Sequence, residues 1–186
     1  LPQPGGDKIG RRRLDTHFSG LKKLGGDFRF DKDNNQYFIE SEQLQGTYIL
    51  MDEISVTGTA NVVMAAAMAK GETVIYNAAC EPYLQQLCKM LIRMGAKIEG
   101  LGSNKLYITG VPSLRGTEHS VLPDMIEIGS FIGLAAMTAS DITIKNCQIP
   151  ELGIIPDTFR KFGIELNEKG DDLHIPAQDH YEIQTF

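Results

Sequence analysis

The chain has 186 residues, of which 42% are hydrophobic and 23% charged, and its formal net charge is −6. These values are ordinary for a globular protein of one domain, or of one domain with part of a second. No apolar run is long enough to span a bilayer, and the acidic balance argues against nucleic acid as the main partner. Cys80, Cys88 and Cys147 fit neither a zinc site nor a disulfide framework, which favours a reducing cytoplasm.

The first segment of interest is rich in glycine and basic residues. Residues 5–17 read Gly-Gly-Asp-Lys-Ile-Gly-Arg-Arg-Arg-Leu-Asp-Thr-His. Glycine permits a mobile loop with exposed backbone N–H groups, and arginine offers a planar charged fork to phosphate. From composition alone, a solvated basic loop is the simpler interpretation.

One local pattern recurs three times along the chain. Gly25, Gly95 and Gly163 each follow a stretch of helical character and precede a strand, and they lie 70 and then 68 residues apart. This is the usual place for a left-handed helix cap. A further strand follows each copy, at 36–39, 105–109 and 173–175. The pattern predicts an internal repeat that mixes helix and strand.

Three further segments predict helices. Residues 81–94 carry apolar side chains at the i, i+3, i+4, i+7 and i+8 spacing of an amphipathic helix. Residues 58–70 and 126–139 are apolar on every face, which predicts helices buried all round. Strands at 73–77 and 141–146 follow these two helices. Strands wrapped outside central helices would satisfy this order.

Polar residues at the helix starts have a structural explanation. Thr57 is the predicted N-cap of the first apolar helix, where unpaired N–H groups also suit a diphosphate. Asp124 and Glu127 have the spacing of a capping box, and Glu81 opens the amphipathic helix. For Asp124 and Glu81 we place a structural role ahead of catalysis. No spacing of His, Cys or acidic residues predicts a metal site.

Several blocks taken together resemble one enzyme family. The blocks are 5–17 with Ser19-Gly20-Leu21, Met51-Asp52 with Ser55-Val56, Asn77-Ala78-Ala79 with Glu81-Pro82, and Leu122-Pro123-Asp124 with Ile126-Glu127 and Gly129. In this order and spacing they are similar to the UDP-N-acetylglucosamine 1-carboxyvinyltransferases. The resemblance covers essentially the whole chain, as an internal fragment of a family member more than twice as long.

The resemblance implies an α/β fold with two domains. Each domain is an inside-out α/β barrel of repeated strand–helix units with buried helices, the enolpyruvyl transferase type. Residues 1–122 are then expected to form the catalytic-loop and nucleotide-sugar-binding domain, incomplete at its N-terminus. Residues 123–186 are expected to form part of the second domain. Because the family site is assembled between two domains, we expect this chain to need the remainder of its own polypeptide for activity.

The implied activity is transfer of enolpyruvate from phosphoenolpyruvate to the 3′-hydroxyl of UDP-N-acetylglucosamine, with release of phosphate. This is the first committed step of peptidoglycan synthesis and is expected in the cytoplasm. The resemblance implies these two substrates as partners, without a cofactor, a membrane or a nucleic acid.

The resemblance also assigns roles to single residues. Arg12 matches the arginine that holds the phosphoenolpyruvate phosphate. Asp7 falls where most members carry a loop cysteine, the group that the epoxide fosfomycin alkylates, and is expected to shuttle a proton in its place. A carboxylate is a poorer nucleophile than a thiolate, so fosfomycin resistance is predicted.

Two strips are implied to bind the substrate, and other residues to line the cleft. The first strip is Arg12, Arg13, Leu14, Asp15 and Thr16, and the second is Glu53, Ile54, Ser55, Val56 and Thr57. Asp124, Glu81 and His17 are expected to line the cleft, with His17 ordering the loop. Glu53 stands where a lysine is usual in the family and Thr57 where a glycine is usual, which puts the lysine contact in doubt.

The sequence leaves three alternative interpretations of function. A shikimate-type enolpyruvyl transferase would share the fold but would need no uridine strip. A non-catalytic nucleotide-sugar-binding module is a second alternative. An RNA-binding module is a third, because related repeats occur in such proteins and Arg11 to Arg13 are basic; the acidic balance and the lack of an aromatic stacking patch argue against it.

Overall fold

The computed structural model describes residues 14–183. The chain divides into two compact units, the first ending at His119 and the second beginning at Ser120. Both units mix helices and strands, which confirms the predicted α/β class. The finer assignment of 1–122 and 123–186 as family domains stays a prediction. In the described part of the chain, no helix is long and apolar enough to cross a membrane.

The first unit alternates helices with strands. Its elements are α1 (Asp15–Lys23), β1 (Asp27–Asp31), β2 (Gln36–Glu40), β3 (Tyr48–Leu50), α2 (Val56–Ala66), β4 (Glu72–Tyr76), α3 (Pro82–Arg93), β5 (Lys97–Glu99) and β6 (Lys105–Thr109). β1 and β2 form an antiparallel hairpin, and the other strands form a sheet in the order β3-β4-β6-β5. β3 runs parallel to β4, whereas the other pairs are antiparallel.

The core of this unit lies on one face of the four-stranded sheet. Ile49, Ile75 and Leu106 are buried and paired across β3, β4 and β6, while their strand neighbours are largely exposed. This alternation is the period of two expected for a sheet with one buried face. Val62 and Val63 of α2 are fully buried in the same core. The apolar pattern of residues 58–70 therefore places α2 against the sheet.

The chain after β6 passes very close to the end of α2. The Gly110 N–H donates to the Gly71 carbonyl at 3.0 Å, and the Val111 N–H donates to the Ala67 carbonyl at 2.9 Å. A Cβ on Gly110 would lie 1.6 Å from the Ala69 carbonyl oxygen. Only glycine fits this crossing.

The second unit repeats the alternation on a smaller scale. Its elements are α4 (Met125–Met137), β7 (Ile142–Ile144), a short 3₁₀ helix (Ile149–Leu152), α5 (Ile155–Lys161), β8 (Asn167–Lys169) and β9 (Asp172–Ile175). Its strands form an antiparallel sheet in the order β7-β9-β8. Over residues 14–183 the sheets stay open and do not close into a barrel, as expected for part of a domain.

The predicted repeat is confirmed at the three glycines. Gly25, Gly95 and Gly163 have φ of 97°, 111° and 81°, in the left-handed region that favours glycine. Each glycine N–H donates to the carbonyl three residues back, and the next N–H donates to a carbonyl five residues before itself. This is the hydrogen-bond pattern of a Schellman cap. The same signal therefore ends α1, α3 and α5.

The prediction that two helices are buried all round is wrong for this chain. Met64 and Met68, in and just after α2, are 45% and 53% exposed, and Phe131 and Leu134 of α4 are 50% and 52% exposed. An apolar helix is enclosed only when protein surrounds it. Within the described residues each of these helices has neighbours on one side, so its other side meets solvent.

Candidate functional site

The described parts of the two predicted substrate strips, 14–16 and 53–57, meet where α1 crosses α2. Gly20 of α1 is buried against Val62 of α2, and a Cβ on Gly20 would lie 2.3 Å from Val62 Cγ2. Near the start of both helices, Gly58 lies close to the Thr16 methyl group; a Cβ at Gly58 would be 3.0 Å away from it. The absent side chains allow the helices to approach closely, which brings residues about 40 positions apart in sequence together.

Thr16 and Glu53 form the first link between the strips. Thr16 is only 1% exposed, and its hydroxyl donates to Glu53 Oε1 at 2.9 Å across 37 sequence positions. A buried hydroxyl is costly unless it is hydrogen-bonded, so this contact holds the Glu53 carboxylate in place. Glu53 itself is exposed, as is Ile54, which is 62% exposed. The second strip thus presents a fixed carboxylate to solvent.

The start of α2 differs from the prediction. Ser55, not Thr57, is the N-cap: Ser55 has extended backbone angles and its Oγ accepts from the Gly58 N–H at 3.0 Å. Sequence alone could not choose between two hydroxyl residues two positions apart, since both can cap a helix. The Thr57 side chain is therefore released from capping and lies in the first turn of α2, next to α1.

His17 forms the second link between the strips. It lies in α1, so the prediction that the loop continues to His17 is wrong for Asp15, Thr16 and His17, which are helical. Its Nδ1 is 2.7 Å from Asn61 Nδ2, and its Nε2 is 3.4 Å from Thr57 Oγ1. Asn61 is not among the site residues that the sequence predicts. The available signal was a lone amide in the otherwise apolar middle of α2.

A third segment is tied to α2 through Thr59. The buried Thr59 hydroxyl donates to the Ser55 carbonyl at 2.7 Å and accepts from the Ala79 N–H at 3.1 Å. Glu81 follows and is the N-cap residue of α3, but its side chain makes no capping bond and instead accepts from the Cys80 N–H at 2.9 Å. The Glu81 side chain therefore stabilises the backbone just before α3 and does not cap the helix.

Asp124 belongs to the second unit and caps α4. Its Oδ1 accepts from the Ile126 N–H at 2.8 Å and from the Glu127 N–H at 3.3 Å, which confirms the predicted capping role. Its position at a cleft between domains stays a prediction.

The remaining predicted residues fall into two groups. Asp7, Arg12 and Arg13 lie outside the described residues. Leu14 precedes α1, Asp15 lies in its first turn, and the half-buried Val56 packs against the core of the first unit. Among residues 14–183 no three His, Cys, Asp or Glu side chains are arranged to hold a metal ion.

The chain is similar to known proteins over nearly its whole length. The family described as EPSP synthase (3-phosphoshikimate 1-carboxyvinyltransferase) matches residues 3–185. A UDP-N-acetylglucosamine 1-carboxyvinyltransferase of Bacteroides thetaiotaomicron is 64% identical over 100% of this chain and 43% of the relative. The protein of the same name from Treponema denticola is 50% identical over 98% of this chain and 42% of the relative. The chain thus spans less than half the length of these curated relatives.

Solved structures share the fold at lower identity. The enolpyruvyl transferase NikO from Streptomyces tendae aligns with a TM-score of 0.78 and 18% identity, over 89% of this chain and 42% of that one. An EPSP synthase from Acinetobacter baumannii aligns with a TM-score of 0.66 and 23% identity, over 89% and 40%. At such identities the likeness concerns the fold alone.

Proposed function

The chain belongs to the family described as EPSP synthase (3-phosphoshikimate 1-carboxyvinyltransferase), and from this premise we propose that the full-length protein transfers enolpyruvate to UDP-N-acetylglucosamine. The name and 64% identity of the Bacteroides relative support this acceptor over phosphorylated shikimate. The proposed reaction adds the sugar 3′-hydroxyl to phosphoenolpyruvate and then expels phosphate. It places the protein in cytoplasmic peptidoglycan synthesis.

The observation that carries the proposal is the convergence of the two strips. The Thr16–Glu53 hydrogen bond and the His17–Thr57 contact hold the start of α1 against the start of α2. A nucleotide sugar is long enough to touch both strips, and its diphosphate suits the positive end of α2. In this proposal the strip from Arg12 to Thr16 and the strip from Glu53 to Thr57 bind the nucleotide sugar.

Glu53 makes this proposed nucleotide site differ from the family pattern in its hydrogen-bonding groups. A carboxylate accepts hydrogen bonds, whereas the lysine usual in the family donates them. Glu53 therefore suits a hydroxyl or N–H donor of the uridine rather than a phosphate oxygen. Its hydrogen bond from Thr16, 2.9 Å long, restricts the orientation of the carboxylate.

Arg12 and Asp7 complete the proposed chemistry. Arg12 would hold the phosphoenolpyruvate phosphate through charge-assisted hydrogen bonds. A base from the remainder of the full-length chain would take the 3′-hydroxyl proton as the sugar oxygen bonds to the central carbon of phosphoenolpyruvate, while Asp7 would give a proton to the methylene carbon. Asp7 would take a proton back from the resulting methyl group as the C–O bond to phosphate breaks. Because Asp7 replaces a thiol, the enzyme should not be alkylated by fosfomycin at this position.

The test is phosphate release by the full-length protein with phosphoenolpyruvate, with and without UDP-N-acetylglucosamine and fosfomycin. We expect release that requires the nucleotide sugar and continues in the presence of the drug. D7C should restore inhibition by fosfomycin, while the 186-residue chain alone should release no phosphate. Release that requires 3-phosphoshikimate instead would contradict the proposed acceptor.

A further inference from the structure

Asn61 is the unusual residue of α2. The helix from Val56 to Ala66 is otherwise built from small, apolar and hydroxyl residues, and Asn61 places a half-buried amide in its middle. An amide lowers helix propensity and is costly to bury unless it is hydrogen-bonded. Its contact is with His17 on the facing helix, across 44 sequence positions.

This contact favours one of the two positions for the proton on the His17 ring. Asn61 Nδ2 lies 2.7 Å from His17 Nδ1, and an amide nitrogen can only donate. If the amide donates to Nδ1, that nitrogen bears no proton, and the proton of the neutral ring lies on Nε2. Nε2 in turn lies 3.4 Å from Thr57 Oγ1, in the first turn of α2.

We propose that Asn61 is a positioning residue that holds His17 as its Nε2–H tautomer at the start of α2, where the N–H can pass from Thr57 Oγ1 to an oxygen of the bound acceptor substrate. The inference rests on the proposed function, since it assigns His17 a donor role within the same site. A neutral N–H can hydrogen-bond a substrate oxygen and hold it in place without giving up its proton. The Thr57 hydroxyl, 3.4 Å from Nε2, is a distant acceptor that a substrate oxygen could replace.

The geometry excludes two simpler explanations of Asn61. Helix packing alone would favour an apolar residue at this half-buried position, because an amide adds no packing that an aliphatic side chain lacks. A residue needed only for solubility would be exposed, whereas Asn61 is half-buried and turned towards another helix.

The test combines nitrogen NMR with kinetics on the full-length protein. Long-range ¹H–¹⁵N correlation spectra of histidine-labelled protein distinguish the two tautomers, and H17Q assigns the signal. We expect the Nε2–H pattern in the wild type and its loss in N61D, whose carboxylate can only accept and so favours a proton on Nδ1. N61D and N61L should lower kcat/KM for the nucleotide sugar about tenfold, the scale of one lost hydrogen bond.

Two further variants separate positioning from folding. N61Q keeps the amide and should recover part of the activity, while M64L changes an exposed residue of the same helix and should have no effect on either readout. An active wild type with a proton on Nδ1, or an N61D variant with wild-type kinetics, overturns the role of Asn61. A wild type that shows Nε2–H but releases no phosphate contradicts the proposed function, and the inference falls with it.

Discussion

The three cysteines lie in different environments. Cys80 is exposed, whereas Cys88 and Cys147 are buried, and all three are free thiols. Burial raises the pKa of Cys88 from 9.0 to about 11. Desolvation also raises the pKa of Cys147, with the negative charges of Asp172 and Asp171 adding to the effect. Since the thiolate is the reactive form, the two buried thiols should be inert in the folded protein.

Thiol labelling tests this difference. At pH 8 we expect the folded 186-residue chain to react with a disulfide reagent at Cys80 alone, because the higher pKa leaves only about one part in a thousand of Cys88 as thiolate. Cys88 and Cys147 should react once denaturant is added. C80S should abolish the fast reaction; a fast phase that survives in this variant would contradict the burial of the other two.

Thr16 is expected to support the proposed nucleotide-sugar site through its hydrogen bond to Glu53. T16V keeps the shape of the side chain but removes the hydroxyl that donates to Glu53 Oε1 at 2.9 Å. In the full-length enzyme we expect KM for the nucleotide sugar to rise about five- to tenfold with little change in kcat, because one hydrogen bond that orders the binding group is lost. T16S keeps the hydroxyl and is the control. Equal KM values for T16V and the wild type would contradict the proposal that Glu53, ordered by Thr16, binds the nucleotide sugar.

At the scale of elements, the crossing of α1 and α2 depends on Gly20. Alanine in a helix is ordinarily about 1 kcal/mol more favourable than glycine. At Gly20, however, the new Cβ would lie 2.3 Å from Val62 Cγ2, on a branched side chain whose rotamer is restricted. We expect G20A to destabilise the chain by about 1–3 kcal/mol in denaturant unfolding, because overpacking outweighs propensity.

Two variants check that the cost arises at this contact. G20A combined with V62A should lose less stability than the sum of the single changes, since the clashing methyl group is gone. G133A in α4 should be neutral or stabilising, because its nearest new contact would be at 3.9 Å. Strict additivity of G20A and V62A would place the cost elsewhere.

Two substitutions at Asp124 distinguish a capping role from a catalytic role. D124A removes the acceptor for two N–H groups at the start of α4 and should cost about 1 kcal/mol of stability, whereas D124S retains a capping oxygen and should cost little. If capping is the whole role, D124S in the full-length protein keeps its activity. Loss of activity in a fully stable D124S would reveal a second role for the carboxylate.

The sequence predicts the positions of the helices better than it predicts their caps and their long-range contacts. The segments 58–70, 81–94 and 126–139 correspond to α2, α3 and α4, because apolar periodicity follows directly from the helix repeat. The predicted N-cap of α2 is Thr57 and the observed one is Ser55, since capping depends on backbone angles that residue type does not encode. Asn61 was overlooked because its partner lies 44 positions away in the chain.

At the scale of the whole molecule, apolar side chains remain uncovered. Within α4, Met137 is 89% exposed and Leu134 is 52% exposed, while Ile132 is fully buried. The composition of such a helix indicates burial but does not say which part of a protein provides it. The fold class followed from the repeat and the resemblance, whereas the exposed sides appeared only in the structure.

Self-association should reveal these surfaces. We expect the 186-residue chain to associate with rising concentration in size-exclusion chromatography with light scattering, because contiguous apolar patches favour association. L134Q with M137Q should reduce the association without loss of stability. I132A, by contrast, should destabilise the fold by about 2–4 kcal/mol through a core cavity. A monomer at every concentration would show that the exposed apolar side chains do not drive self-association.

The close passage at Gly110 has a genetic consequence. A Cβ there would meet the Ala69 carbonyl oxygen at 1.6 Å, and backbone cannot move aside as a flexible side chain can. Every missense change that one nucleotide substitution can produce in a glycine codon adds at least that carbon. In a saturation library selected for folded protein, codon 110 should therefore retain only its synonymous forms, although it encodes no side chain and takes no part in the proposed chemistry.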